Sequence, residues 1–69
     1  MDKKYLDEDQ KIFMEIFSNR TGSISIDEVH IIGRTQGFDE DQMDEMIDNF
    51  LDNGFIHEPI GGYYAFVRL

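Results

Sequence analysis

The sequence predicts an α+β fold, with three helices, a short strand between the first two, and a β-hairpin at the end. Three observations predict it. Apolar residues recur at helical spacing in three segments. Each of these segments opens on an Asp or Ser able to cap a helix, and two of them stop at a glycine. The last stretch instead strings β-forming residues on either side of Pro59, Gly61 and Gly62.

The first helix is predicted over residues 7–18. Asp7 suits the N-cap, and Glu8 and Asp9 suit the positive end of the helix dipole. Leu6, Ile12, Phe13, Ile16 and Phe17 fall on one side, while Lys11 and Glu15 lie on the other. Met14 points away from that apolar stripe. Asn19, Arg20, Thr21 and Gly22 then break the pattern.

Ser23-Ile24-Ser25 reads as the short strand. Ser25 also opens a capping box with Glu28, with Ile24 and Val29 at the two staple positions. The second helix is predicted over residues 26–36 and stops at Gly37. Ile26, Val29, Ile32 and Gly33 share a face, and Ile31 falls off it. A glycine inside a helix costs roughly 1 kcal/mol against alanine, so another element should approach closely at Gly33.

The third helix is predicted over residues 39–53. Phe38 can staple to Met43 around an Asp39 cap that Gln42 completes. Met43, Met46, Ile47, Phe50 and Leu51 form one stripe. Gly54 sits where a C′ glycine belongs, with Phe55 placed to meet Phe50. Strands at 55–58 and 63–67 then form the hairpin, joined by Pro59-Ile60-Gly61-Gly62. The predicted core is Leu6, Ile12, Phe13, Ile16, Phe17, Val29, Ile32, Met43, Ile47, Phe50, Leu51, Ile56 and Phe66.

Composition narrows the function. A chain of 69 residues accommodates one domain. Residues 1–5 read as a flexible start or linker remnant and 6–69 as the domain. With no Cys, disulfide frameworks, thiolate zinc sites and Cys nucleophiles are excluded. No apolar run approaches the ~20 residues of a membrane span and no signal sequence is evident, so a cytoplasmic protein without membrane contact is expected. His30 reads as a helix-surface residue and His57 as a strand residue, and two isolated His make no zinc site. A calcium loop starting at Asp39 fails, because Asp44 stands where glycine is needed and Phe50 where the last Glu is needed. Carboxylates at i,i+4 along an exposed helix lack the pocket that would separate their pKa values. No cofactor, no metal and no enzymatic activity are therefore expected.

The element order, the Gln36-Gly37-Phe38 turn, the Phe50-Leu51-Asp52-Asn53-Gly54-Phe55-Ile56 junction and the Gly61-Gly62 tip resemble a winged-helix domain, a helix-turn-helix core with a hairpin wing. Within that family the acidic third helix, the Phe55-Ile56 lead-in to the wing and the Tyr63-Tyr64 strand look most like the C-terminal domain of the archaeal minichromosome maintenance (MCM) helicase. The resemblance implies a regulatory appendage of a hexameric, ATP-driven DNA helicase, associated with the nucleoid. The nucleotide site of such a parent would lie elsewhere, since no Gly-x-x-x-x-Gly-Lys loop is present.

In many helix-turn-helix proteins the third helix enters the major groove. Here residues 39–53 hold seven acids and no base. Asp41, Asp44, Glu45, Asp48 and Asp52 fall between about 100° and 200° from the direction of Met43. DNA carries one charge per ~1.7 Å, so this face is repelled and releases no counterions. The whole chain sets 15 acids against 6 bases, for a net charge of −9. The expectation is a protein-interaction module with weak or absent DNA binding, monomeric in isolation through charge repulsion. Candidate partner-binding residues are Asp41, Asp44, Glu45, Asp48 and Asp52, with Met14 and Ile31 as off-stripe apolar contacts. The alternative is a DNA-binding domain of a transcription or replication factor that uses its wing or its first helix.

Overall fold

The computed structural model describes residues 7–67. Six elements follow one another: α1 (Glu8–Ser18), β1 (Ile24–Ser25), α2 (Ile26–Thr35), α3 (Glu40–Asp52), β2 (Ile56–Ile60) and β3 (Tyr63–Phe66). The fold is α+β, with three helices and a three-stranded antiparallel sheet in the order β1-β3-β2. The central strand is therefore the last in sequence, and it joins the start of α2 to the hairpin.

Local chemistry fixes the helix ends. Asp7, Ser25 and Asp39 occupy the N-caps, and each side chain accepts a backbone N–H three residues on, from Gln10, Glu28 and Gln42 at 2.9, 3.2 and 2.7 Å. Glu28 gives only its backbone to the Ser25 cap. Its carboxylate turns instead to Arg20, at 2.6 Å. Helices α2 and α3 end in the same Schellman arrangement. Gly37 N–H donates to the Arg34 carbonyl and Phe38 N–H to the Gly33 carbonyl, while Gly54 and Phe55 donate likewise to Leu51 and Phe50. Gly37 and Gly54 adopt φ of 94° and 78°, which side chains with a Cβ disfavour. The Phe50 and Phe55 rings meet edge to face at 6.1 Å.

The core lies between the helices and the inner face of the sheet. Phe13, Phe17, Ile24, Val29, Met43, Phe50 and Ile56 are sealed from solvent, ringed by Ile16, Phe38, Met46 and Ile47. Phe13 packs against Phe17, Phe38 and Phe50 with ring centres 5.6–6.0 Å apart. Burying each such side chain contributes roughly 1.5–3 kcal/mol. Ile32, Leu51 and Phe66 reach this core only as half-buried residues.

Two residues on α1 exchange the roles the helical wheel predicts. Ile12 is 38% exposed, whereas Met14 is 9% exposed and belongs to the core. Helix α1 packs against α2, α3 and β3 at once. Its buried arc is consequently wider than one stripe and turned toward Met14. Leu6 and residues 1–5 lie outside the described residues, as does Arg68.

The hairpin also differs from its prediction. Strand β2 runs on through Pro59 to Ile60, and the connection shrinks to Gly61 and Gly62. His57 pairs with Ala65 and Ile60 with Tyr63, so Glu58 and Pro59 together oppose Tyr64. That bulge on an edge strand accommodates a residue with no N–H to give. Gly62, at φ 84°, anchors the tip. Its N–H donates to Glu58 Oε2 at 2.8 Å, and its carbonyl accepts the Ile26 N–H at 2.8 Å. One of the unpartnered amides at the start of α2 is thus satisfied by the hairpin.

Candidate functional site

The third helix places its carboxylates by simple periodicity. Met43, Met46, Ile47 and Phe50 face inward, which turns Asp41, Asp44, Glu45, Asp48 and Asp52 to solvent. All five predicted acidic residues are exposed on one helix that carries no Lys or Arg. Glu40 and Asp41 in the first turn favour the helix dipole. The last turn holds no base, so Asp52 sits at the negative end uncompensated.

Asp44 has a second role that its position on the wheel conceals. Its Oδ1 lies 3.0 Å from Nε2 of His30, and Glu40 Oε2 lies 3.6 Å from the other ring nitrogen. The His30 side chain is only 12% exposed, against 58% and 61% for the two carboxylates. His30 is therefore not the simple surface residue the sequence suggests. It bridges α2 to the first two turns of α3, 14 residues away for Asp44. Nε2 lies within hydrogen-bond distance of Asp44, while the 3.6 Å approach of Glu40 is a longer electrostatic contact.

Some of these carboxylates also act on a side chain of the sheet. Tyr64 is half-buried on β3, between β1 and β2. Burial pushes its phenol above the ordinary 10.0, and the carboxylates of Glu58, Asp48 and Asp44 push it in the same direction. Carboxylates from α3 and from β2 thus act on one side chain. Nothing in sequence spacing signals this convergence, because it depends on how the hairpin returns beside α3.

The apolar candidates separate. Met14 is withdrawn into the core and cannot contribute to a partner surface. Ile31 is 58% exposed on α2, as its place off the stripe predicts. Ile60 and Tyr63 are exposed as cross-strand partners at the hairpin tip. His57 is exposed on β2, opposite Ala65.

Two shallow grooves lie among the described residues. A shallow groove of about 170 Å³ runs between the start of α1 and α3, edged by Asp7, Asp9 and Glu45. Another, of about 190 Å³, lies between α1 and α2 beside Arg20 and Ile32. Among the described residues, no three His, Asp or Glu side chains are arranged to hold a metal ion, and no helix is long and apolar enough to cross a membrane. No family model, curated protein or solved structure matches the chain.

Proposed function

We propose that this chain is a non-enzymatic regulatory module of the winged-helix type that docks proteins through the outer face of α3. The helix-strand-helix-helix-hairpin order and the β1-β3-β2 sheet support the winged-helix reading. On this reading β2 and β3 form the wing, and α3 occupies the position of a recognition helix. The module is the C-terminal appendage of an archaeal MCM DNA helicase. It modulates the ATPase and helicase activity of the motor through contacts with the motor domain or a replication partner.

The observation that carries this reading is the charge on α3. Asp41, Asp44, Glu45, Asp48 and Asp52 are all exposed, without one cation on the helix. Such a face repels a phosphate backbone. It also attracts a basic protein surface, speeds their encounter and selects against acidic competitors.

Chemical-shift mapping against an archaeal MCM motor domain tests the proposal. Shifts centred on Asp44, Glu45 and Asp48 are expected, weakening as salt is raised. Duplex DNA should leave α3 unshifted even at low salt. Micromolar duplex binding that places these three residues against DNA would reverse the assignment in favour of a DNA-binding domain.

A further inference from the structure

Asn53 caps the end of α3 and is followed by Gly54. In this pairing a backbone amide can turn on the side chain before it. The Gly54 nitrogen, giving its proton to solvent, bonds to Cγ of the Asn53 carboxamide. The Cγ–Nδ2 bond then breaks, Nδ2 takes up a proton and leaves as ammonia, and a cyclic imide remains. Water opens the imide at one carbonyl or the other, giving Asp or isoaspartate at position 53. A glycine hinders its own nitrogen least, because it has no Cβ. The chain's other two Asn are followed by larger residues, Asn19 by Arg20 and Asn49 by Phe50.

The folded helix end keeps the reacting groups apart. At ψ −1° the Gly54 nitrogen eclipses the backbone nitrogen of Asn53. Asn53 Cβ then stands about 120° away around the Cα–C bond, whereas the imide needs Cβ nearly eclipsed with the Gly54 nitrogen. The carboxamide is tied back as well, since Nδ2 donates to the Asn49 carbonyl at 2.9 Å. The Gly54 amide donates to the Leu51 carbonyl at 3.2 Å, and the Phe55 amide to the Phe50 carbonyl at 2.9 Å. Closing the imide turns the chain at Asn53. That breaks both Schellman bonds and parts the Phe50 and Phe55 rings.

We infer that Asn53 is a site of spontaneous deamidation, gated by opening of the last turn of α3. The change runs one way. An isoaspartyl link carries the main chain through Cβ and Cγ, which adds an atom to the backbone where the helix closes. The Gly54 and Phe55 amides then no longer meet the carbonyls of Leu51 and Phe50. The new carboxylate also follows Asp52 at the negative end of the helix, where no base offsets it. Strand β2 begins at Ile56, so conversion loosens the joint that hangs the hairpin from α3.

The test incubates the whole chain in mildly alkaline buffer, native and in urea, and follows it by peptide mapping and ammonia release. Asp and isoaspartate are expected at position 53, with Asn19 and Asn49 intact. Conversion should be about tenfold or more slower in the native chain than in urea, because two hydrogen bonds and a ring contact must open first. F55A, which removes the ring that meets Phe50, should speed native conversion and leave the rate in urea unchanged. Far-ultraviolet circular dichroism would show whether F55A is folded. A second measurement needs no variant: in urea below the unfolding transition, conversion of wild type should rise in step with hydrogen exchange at the Gly54 and Phe55 amides. Equal rates in native buffer and urea would overturn the gating. Full conversion in urea with none in the native chain, or faster loss of Asn19 or Asn49, would overturn Asn53 as the site.

Discussion

The side chain of Met43 fills the space that a Cβ on Gly33 would need. A methyl group built there runs into the Met43 sulfur and comes within 3.3 Å of Phe13 Cε1. Met43 and Phe13 are both fully buried, so neither can swing into solvent. This contact lets α2 and α3 pack closely at this point. Alanine at position 33 would improve helix propensity by roughly 1 kcal/mol. Overpacking a filled core typically costs about 1–3 kcal/mol. G33A is therefore expected to lower stability by about 1 kcal/mol in chemical denaturation. A more stable G33A would mean that the helices separate freely at this point.

The six glycines are not equivalent, and alanine scanning should sort them. Gly37 and Gly54 hold left-handed conformations that close α2 and α3. G37A and G54A should each cost about 1 kcal/mol. Gly22 and Gly61 have ordinary φ and open space around them. G22A and G61A should change the melting temperature little. Equal losses at all four positions would contradict the Schellman account of the helix ends.

His30 joins two helices through both packing and charge, and these contributions can be separated. The carboxylates of Asp44 and Glu40 are largely exposed, so their polar contacts with the ring should contribute only about 0–1 kcal/mol. D44N is expected within that range, with its effect fading in high salt. H30A also removes a mostly buried ring and should cost about 1 kcal/mol more, insensitive to salt. A salt-sensitive H30A, equal in effect to D44N, would assign the whole contribution to charge.

Much of this architecture is legible from local rules. The caps at Asp7, Ser25 and Asp39 and the stops at Gly37 and Gly54 depend on residues within one turn of one another, and they lie where the sequence places them. The acidic face of α3 is equally legible, since one period fixes it once Met43 and Phe50 are assigned inward. The exchange of Ile12 and Met14 is not, because the buried arc of α1 is set by three elements pressing on it. The bulge at Glu58 and Pro59 is invisible for a similar reason, being a property of two strands in register. The pairing of His30 with Asp44 and the convergence of Asp44, Asp48 and Glu58 on Tyr64 arise only when distant segments meet.

Tyr64 predicts an alkaline weak point. Its phenol is held above its ordinary 10.0 by burial first, then by Glu58, Asp48 and Asp44. A raised pKa means that the folded state favours the neutral phenol. The associated stability is complete below pH 10.0 and is lost as pH rises from there through the folded-state value. Wild type should thus lose stability across that window more than Y64F does. Ultraviolet titration of phenolate should show a late step that Y64F lacks and that D44N/D48N moves to lower pH. A Y64F variant that loses stability in parallel with wild type would place the effect elsewhere.

The end of α3 sets stability against binding. Asp52 is the last residue of the helix and Asp48 lies one turn before it, with no base in that turn. Both carboxylates face the negative end of the dipole, where a cation would be favoured. D48K and D52K should therefore stabilise the isolated chain, each by about 0.3–1 kcal/mol at low ionic strength. The gain should shrink toward zero in 1 M salt, where the screening length falls to about 3 Å. The same changes should weaken capture of a basic partner, because they remove anions from the docking face and add cations to it. Measuring denaturation and peptide binding on the same variants separates the two effects. Greater stability with weaker binding is the pattern expected if these carboxylates serve recognition at the expense of the helix. Variants that gain stability and bind a basic peptide as tightly as before would show that the acidic end of α3 lies outside the partner surface.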